Sequence, residues 1–238
     1  MGKAVDAAMG ARLVIGSGVG PAAARNAGAA SARAEIVCFT DDDCEPEPEW
    51  ASRIAGAVHG SLAAVAGLTL NADPADSLAE ASQHIANYLG VYSRRPNESS
   101  HPSEAPFAAS NNLACRADVL REIPFDEGYP LAAGEDRAWC RRLAARGFEL
   151  GYEPSAIVHH RQQLTARGFW RQHVRYGRGA FRFGRDQDSR LPSRGGLYPH
   201  LVGSAFSRGR RVGALVCAAQ VATAAGFAAE AIAARRGR

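Results

Sequence analysis

Short apolar runs alternate with alanine-rich and amphipathic segments along this chain, which predicts a mixed α/β fold. Short β-rich runs predict strands at 12–15, 35–40, 63–70, 148–152 and 156–159. Alanine-rich or helical periodicity predicts helices at 22–34, 50–58, 113–123 and 134–146, and 164–183 is an amphipathic segment rich in arginine. The run 35–40 is apolar enough for a buried parallel strand, and it stops abruptly at three aspartates.

Polar and proline-rich stretches predict the connections. The acidic stretch 41–49 and the stretch 184–203 have the composition of loops, and 71–109 predicts a long surface excursion where a lid would lie. The apolar, alanine-rich segment 212–234 contains Gln220 and Glu230 and is flanked by arginines; we weigh membrane contact against a buried helix. We therefore divide the chain into an α/β domain at 1–184, a basic linker at 185–211 and a helix at 212–234.

Composition narrows the class of protein and its compartment. The chain has 238 residues, 46% of them hydrophobic and 22% charged, which suits one main globular domain. The net charge is +4 and arginines crowd into the last third, but no nucleic-acid motif accompanies them, so we expect no nucleic-acid partner. Five cysteines without a C-x-x-C pair, and no secretory segment at 1–12, predict a cytoplasmic protein, at the cytoplasmic face of the membrane if 212–234 contacts it.

Asp41, Asp42 and Asp43 follow the predicted strand 35–40 directly. Clustered carboxylates are costly unless a cation neutralises them, and oxygen ligands of this kind suit Mg²⁺ or Mn²⁺ bound to nucleotide phosphates. Strand ends in α/β sheets are also common ligand sites. The alternative is an aspartate-rich turn that caps the helix beginning near Trp50. For three aspartates together we favour a metal site.

The residues ARNAGA at 24–29, followed by IVCFTDDDC at 36–44, resemble the family 2 inverting glycosyltransferases of the GT-A fold. Members carry an Asp-x-Asp motif at this place, so the resemblance implies a GT-A-like sheet flanked by helices, a nucleoside diphosphate-sugar donor and Mn²⁺ or Mg²⁺. It implies that Asp41 and Asp43 are the motif carboxylates, with Asp43 the direct metal ligand and Asp42 the variable middle position of the nucleotide site. Arg25 would lie near the donor pyrophosphate.

Two further stretches resemble family motifs. GEDRAW at 134–139 is similar to the Glu-Asp motif that supplies the general base, which implies Asp136 as the base beside Glu135. Inversion by direct displacement needs such a carboxylate on the acceptor hydroxyl, although acids in a first helical turn also simply complement the helix dipole. SAIVHHR at 155–161 resembles the strand whose final histidine completes the metal site. We favour His160 as that ligand, with His159 as the alternative.

Weaker matches concern three other residues. QHVRY at 172–176 resembles the Gln-x-x-Arg-Trp motif with tyrosine in place of tryptophan, so it does not support processivity, but it places Arg175 near phosphate. Asn111 and Asn112 fall where the family binds donor sugar or acceptor, although Asn is also a common helix cap.

The resemblance covers 16–184, and it departs from the family at the start of the chain. Members open with a strand, helix and strand that hold the nucleotide base, and nothing upstream of Arg12 matches them. We therefore expect an N-terminally incomplete domain with an exposed sheet edge and a tendency to self-associate.

Two other functions compete with the glycosyltransferase. LVIGSGVGP at 13–21 resembles the glycine turn of a dinucleotide-binding oxidoreductase, but Pro21 stands where the third glycine belongs, and Asp42 and Asp43 stay unexplained. A non-catalytic, membrane-associated fragment would fit the basic tail. The glycosyltransferase predicts Mn²⁺-dependent binding of a nucleoside diphosphate. The oxidoreductase predicts metal-independent binding of NAD or FAD, and the non-catalytic fragment predicts neither. The acceptor implied by the resemblance is a hydroxyl on a lipid-linked or cell-envelope glycan.

Overall fold

A computed structural model describes residues 11–16, 20–93, 107–129, 133–186 and 197–236. Its strands are β1 Ile36–Thr40, β2 Cys44–Pro46, β3 Leu62–Asn71, β4 Asn112–Arg116 and β5 Glu149–His160. Its helices are α1 Pro21–Ser31, α2 Trp50–Gly56, α3 Ser77–Ser93, α4 Ala117–Glu122, α5 Glu135–Ala145, α6 Ala166–Asp186, α7 Leu197–Ser207 and α8 Arg210–Arg236. The predicted mixed α/β fold is confirmed.

The strands form one mixed sheet in the order β1-β4-β3-β5-β2. β3 and β5 are parallel, and β4 is antiparallel to both of its neighbours β1 and β3, so β1, β3 and β5 all run in the same direction. Their carboxyl ends therefore meet at one edge of the sheet, which is where α/β proteins place ligands. Thr40, Asn71 and His160 are the last residues of these three strands.

The structure corrects the environment predicted for 35–40. β1 is not a buried parallel strand, because its partner β4 is antiparallel and β1 is an end strand of the sheet. Its first four residues are half-buried rather than fully buried. Among the described residues, β1 pairs on one side alone, and the self-association expected from an open edge stays a prediction.

Residues 113–123, predicted as one helix, instead form β4 followed by α4. Leu113, Ala114 and Cys115 are fully buried, because β4 lies between β1 and β3 with helices on both faces of the sheet. An apolar run covered on both faces has no strand-like alternation, so its sequence pattern does not distinguish it from a helix.

Other differences concern short elements. The predicted loops at 71–109, 184–203 and 41–49 contain α3, the start of α7 and β2, respectively. Asp76 caps α3, since its Oδ1 accepts hydrogen bonds from the backbone N–H groups of Leu78 and Ala79. The predicted strand 12–15 has no regular structure, and 148–152 and 156–159 are one strand with an irregularity between them. Residues 94–106, central to the predicted lid, lie outside the described part.

Helices cover both faces of the sheet. One core joins α1, α4 and α5 to the sheet through residues such as Val119, Trp139 and Leu143. The other packs Trp50 and Ile54 of α2 against the opposite face. Within the sheet, Gly67 of β3 makes room for the Asn112 side chain of β4, because a Cβ there would lie 2.3 Å from the Asn112 Oδ1.

A separate helical cluster of α3, α6, α7 and α8 packs beside the sheet. The predicted helix at 212–234 lies within α8, a 27-residue helix long and apolar enough to cross a membrane. One face of α8 nevertheless lies tightly on α6: a Cβ on Gly226 would lie 2.0 Å from the Val174 carbonyl oxygen, and one on Gly177 would lie 1.9 Å from the Thr223 carbonyl oxygen. These glycines therefore set the distance between the two helices.

Candidate active site

Arg25 connects the aspartate run after β1 to the acidic start of α5. Its Nη2 lies 3.3 Å from Asp41 Oδ1, and its Nη1 lies 3.1 Å from Glu135 Oε1 and 3.7 Å from Asp136 Oδ1. The guanidinium also lies over the Phe125 ring, 5.8 Å from its centroid. Residues 110 positions apart in the chain thus form one charged cluster at the carboxyl edge of the sheet.

The two acids of α5 have different surroundings. Gly134, with φ 97°, turns the chain into the helix, and the Glu135 carboxylate is buried against Arg25. Asp136 Oδ2 accepts a hydrogen bond from the Ser110 backbone N–H at 3.2 Å, whereas its Oδ1 is buried without a hydrogen-bond partner. Burial raises the pKa of both carboxyls, and Arg25 opposes that rise. A raised pKa makes a carboxylate a stronger proton acceptor once it is ionised.

Asp43, Cys44 and His160 form a possible cation site. Pairing of β2 with β5 places Cys44 opposite His160, and Asp43 Oδ2 then lies 3.2 Å from His160 Nε2. One ligand atom from each of the three residues lies within 4.8 Å of the others. Burial raises the pKa of the Cys44 thiol to about 11, and sulfur is a softer ligand than Mn²⁺ or Mg²⁺ prefers. The carboxylate and imidazole that remain suit Mn²⁺ better than Mg²⁺, which prefers oxygen ligands.

The structure separates the residues between which the sequence left a choice. His159 points to the other face of β5 and lies 3.5 Å from Glu47 Oε1, away from Asp43. Asp41 pairs with Arg25 and lies outside the Asp43 group, and Asp42 is exposed. Of the proposed metal ligands, the described structure therefore brings together Asp43 and His160.

The predicted phosphate contact of Arg25 is also affected, because its guanidinium is occupied by three carboxylates. An incoming pyrophosphate would have to compete with them.

The weaker candidates separate into different environments. Asn112 is buried and its amide is occupied within the protein: its Oδ1 accepts from Trp50 Nε1 at 2.9 Å, and its Nδ2 donates to the carbonyls of Leu68 and Ala156. It lines the cavity, and its ligand role stays a prediction. Asn111 Oδ1, by contrast, is buried without a hydrogen-bond partner.

Arg175 belongs to α6 and lies beside Tyr176, with its guanidinium 5.9 Å from the ring centroid. It is outside the set of described residues that line the cavity at this edge of the sheet.

That cavity has a volume of about 410 Å³ and extends from the charged cluster to the helical cluster. Its polar end includes Arg25, Asp41, Asp136, His160 and Asn111. Its opposite wall comes from α3, α7 and α8. Cavities that bind small ligands typically measure about 300–1,000 Å³ and are largely apolar with a few polar groups.

Sequence reasoning missed four polar residues around His160 and deeper in the cavity. Gln83 and Gln162 both contact His160 Nδ1, at 3.1 and 3.0 Å. Asn87 holds Gln83, and His173 is fully buried with an unpaired Nε2 and a pKa lowered by burial to about 4. Gln83 and Asn87 lie in a stretch predicted as a loop. Had that stretch been predicted as a helix, the four-residue spacing between Gln83 and Asn87 would have placed both side chains on one helix face.

A carboxyl-edge cavity with carboxylates at a strand end and at a helix start is the arrangement expected of a GT-A glycosyltransferase. A family model described as "Glycosyl transferase family 2" matches residues 7–123, and one described as "Glycosyltransferase (GlcNAc)" matches residues 68–194. The chain therefore belongs to the family 2 glycosyltransferases. This membership favours that function over the oxidoreductase, whose predicted glycine turn at 16–21 is described except at 17–19.

Two curated relatives are pre-mycofactocin glycosyltransferases of Mycobacterium tuberculosis, from strains CDC 1551 / Oshkosh and ATCC 25618 / H37Rv. Each is 32% identical over 167 residues, which cover 68% of this chain and 34% of the relative. The chain thus spans about a third of the length of these curated relatives.

Among solved structures, a mannosyltransferase from Pyrobaculum calidifontis in complex with GDP-Man and Mn²⁺ aligns with a TM-score of 0.50 at 19% identity, covering 92% of this chain and 59% of that one. At this identity the likeness establishes the shared fold.

Proposed function

We propose that this chain carries the metal site and general base of an inverting, metal-dependent glycosyltransferase, which moves a sugar from a nucleoside diphosphate-sugar to an acceptor hydroxyl. The observation that carries the proposal is the Arg25 cluster, which joins the Asp-x-Asp loop and the Glu-Asp helix in one cavity. The solved mannosyltransferase of the same fold, in complex with GDP-Man and Mn²⁺, supports the choice of donor and metal.

Asp43 and His160 would hold the cation, since their facing atoms are a carboxylate oxygen and an imidazole nitrogen. A bound Mn²⁺ would neutralise the charge that develops on the leaving diphosphate. Asp41, which the Asp-x-Asp resemblance also assigns to the metal, would first have to exchange Arg25 for the cation.

Asp136 is the better placed of the two α5 acids to act as base. One of its oxygens is fixed by the Ser110 N–H, whereas the other has no hydrogen-bond partner and only a 3.7 Å ion-pair contact with Arg25, so this second oxygen can accept the proton of an acceptor hydroxyl. The Glu135 carboxylate is already occupied by Arg25. Glu135 therefore positions Arg25, and Asp136 takes the proton.

The apolar wall of the cavity suggests the character of the acceptor. Ile85 and Leu89 of α3 and Leu197 and Leu201 of α7 line the part that faces away from the charged cluster. Burial of apolar groups against such a wall is favourable, so we propose an acceptor in which a hydroxyl is attached to an apolar portion, as in a lipid-linked glycan.

α8 supports a position at the cytoplasmic face of a membrane. Val221 and Ile232 on its outward side are 61% and 52% exposed, and arginines lie at both ends of the helix. An apolar face with flanking cations suits an anionic lipid surface. Flotation of the purified protein with anionic vesicles, and its absence with neutral vesicles, would support this location; recovery in the unbound fraction with both would contradict it.

Calorimetry with UDP and GDP, each with and without Mn²⁺, tests the catalytic proposal. We expect Mn²⁺-dependent binding that Asp43→Ala abolishes. Asp118→Ala is the matched control, because this exposed aspartate at the start of α4 pairs locally with Arg116 and lies beyond the opposite end of β4. Binding without metal, equal losses in both variants, or no binding by well-folded protein would contradict the proposal.

A further inference from the structure

A chain of side-chain amides leads from the backbone of β3 to His160. It begins at the Thr69 carbonyl oxygen, which accepts a hydrogen bond from Asn87 Nδ2 at 2.8 Å. A carbonyl oxygen can only accept, so the amide of Asn87 must point its NH₂ group at Thr69 and its Oδ1 away. The hydrogen bond to Thr69 therefore determines which end of the Asn87 amide is nitrogen and which is oxygen, a choice that the shape of the amide alone does not make.

The same logic fixes the next residue. Gln83 lies one helical turn before Asn87 on α3, and its Nε2 donates to Asn87 Oδ1 at 2.9 Å. Gln83 Oε1 must then face His160 Nδ1, from which it is 3.1 Å. Since an amide oxygen only accepts, Nδ1 carries the proton. Gln83 is 5% exposed, so water has little access to take its place.

Gln162 approaches the same nitrogen but does not impose an orientation. Its Nε2 lies 3.0 Å from His160 Nδ1, an orientation in which Nδ1 would accept, and its Oε1 accepts from Gln172, which in turn donates to the hydroxyl of Ser82. A hydroxyl both donates and accepts, so this second chain can reverse and present the Gln162 oxygen to Nδ1. The series of hydrogen bonds through Gln83 ends on a backbone carbonyl oxygen, which only accepts, so this series cannot reverse its direction.

On the other side of the imidazole, Nε2 lies 3.2 Å from Asp43 Oδ2. When Nδ1 carries the proton of a neutral ring, Nε2 offers a lone pair, and a lone pair facing a carboxylate is repelled unless a second ring proton or a metal cation lies between them. We propose that Gln83 and Asn87 are positioning residues, which hold His160 in its Nδ1–H tautomer so that Nε2 is available to a divalent cation shared with Asp43. This inference rests on the proposed metal site.

The tautomer can be observed without any metal. In an Asp43→Ala background, which removes the competing acceptor, ¹⁵N NMR of His160 in alkaline buffer should show Nδ1–H. Adding Gln83→Met should convert the ring to Nε2–H, the form preferred by free histidine, and Gln83→Glu, which keeps an acceptor, should retain Nδ1–H. An Nε2–H ring in the Asp43→Ala protein, or no change on adding Gln83→Met, would overturn the proposal.

Metal affinity provides the second readout in the otherwise unchanged chain. Outer-shell partners of metal-binding histidines typically contribute about 10- to 100-fold in affinity, so Gln83→Met should weaken Mn²⁺ binding by that factor. Gln162→Met is the matched control, because it makes the same change at the same distance from Nδ1, and it should have less than about a tenth of that effect. Equal losses in both variants would refute a special role for Gln83.

If the unaltered chain binds no Mn²⁺, the metal site of the proposed function fails. The NMR series would still decide whether Gln83 sets the tautomer, so the two failures are distinguishable.

Discussion

Replacing Arg25 by methionine should destabilise the protein in a way that depends on pH. Arg25 is 13% exposed and the carboxylate of Glu135 is 4% exposed, so this pair is shielded from water. Removing one partner of a buried ion pair typically costs about 3–5 kcal/mol, because the remaining charge is left uncompensated. Asp41 is 40% exposed and can be solvated, so the cost arises mainly from Glu135 and Asp136.

The sign of the pH dependence follows from the same contacts. Burial raises the pKa of Glu135 and Asp136, and Arg25 pulls both values down. Without Arg25 their pKa values rise further, so the folded protein holds protons that the unfolded chain releases. The free energy of unfolding then falls as pH rises above the ordinary carboxyl pKa of about 4. The parent shares this fall up to the pKa of Glu135, which burial already raises to about 7, so the loss specific to the variant should grow as pH rises above about 7.

Urea unfolding of the parent and Arg25→Met proteins across this pH range measures the difference. Arg25→Lys is the control for charge alone, and it should recover part of the stability, since one ammonium cannot reproduce the fork between Asp41 and Glu135. Adding Glu135→Gln to Arg25→Met should also recover stability at neutral pH. A loss that is equal at all pH values, or no recovery in the double variant, would refute the reasoning.

Two further predictions concern packing and titration. Gly226→Ala should lower the free energy of unfolding by about 1–3 kcal/mol, because its Cβ would overlap the Val174 carbonyl. The control Gly203→Ala in α7 has open space around it and should be neutral or slightly stabilising. Equal melting curves for the two variants would contradict this prediction. Glu135→Gln should flatten the stability profile, because burial raises the pKa of Glu135 and its ionisation costs folding energy as pH rises. Parallel pH profiles for the variant and the parent, by thermal unfolding, would show that this carboxyl does not titrate as expected.

Local sequence could predict the positions of those site residues that stand directly at the end of a predicted strand or at the start of a predicted helix. The apolar run before Asp41 forms β1, and the acids that follow Gly134 begin α5. His160 is the last residue of β5, and strand alternation separates it from His159. In each case the backbone position is set within a few residues, so no knowledge of distant contacts was needed.

The partners of these residues depended on tertiary structure. The pairing of β2 with β5 brings Asp43 to His160, and a three-residue strand with two exposed residues leaves little hydrophobic pattern to detect. Asn112 has the sequence context of a helix cap, but its neighbours are Trp50, Leu68 and Ala156, which come from three separate elements. Their approach is decided by close packing at Gly67, which sequence spacing does not encode.

The spacing of the Asp-x-Asp motif acquires a physical meaning from these contacts. Asp41 contacts Arg25 and Asp43 contacts His160, so the two carboxylates of the motif have different partners. Asp41 already shares the Arg25 guanidinium with Glu135 and Asp136, whereas under the proposed tautomer Asp43 faces the Nε2 lone pair of His160. We therefore expect a cation to be needed chiefly at Asp43. This asymmetry explains why Asp43→Ala should abolish metal binding, while loss of Arg25 should be felt first as lost stability.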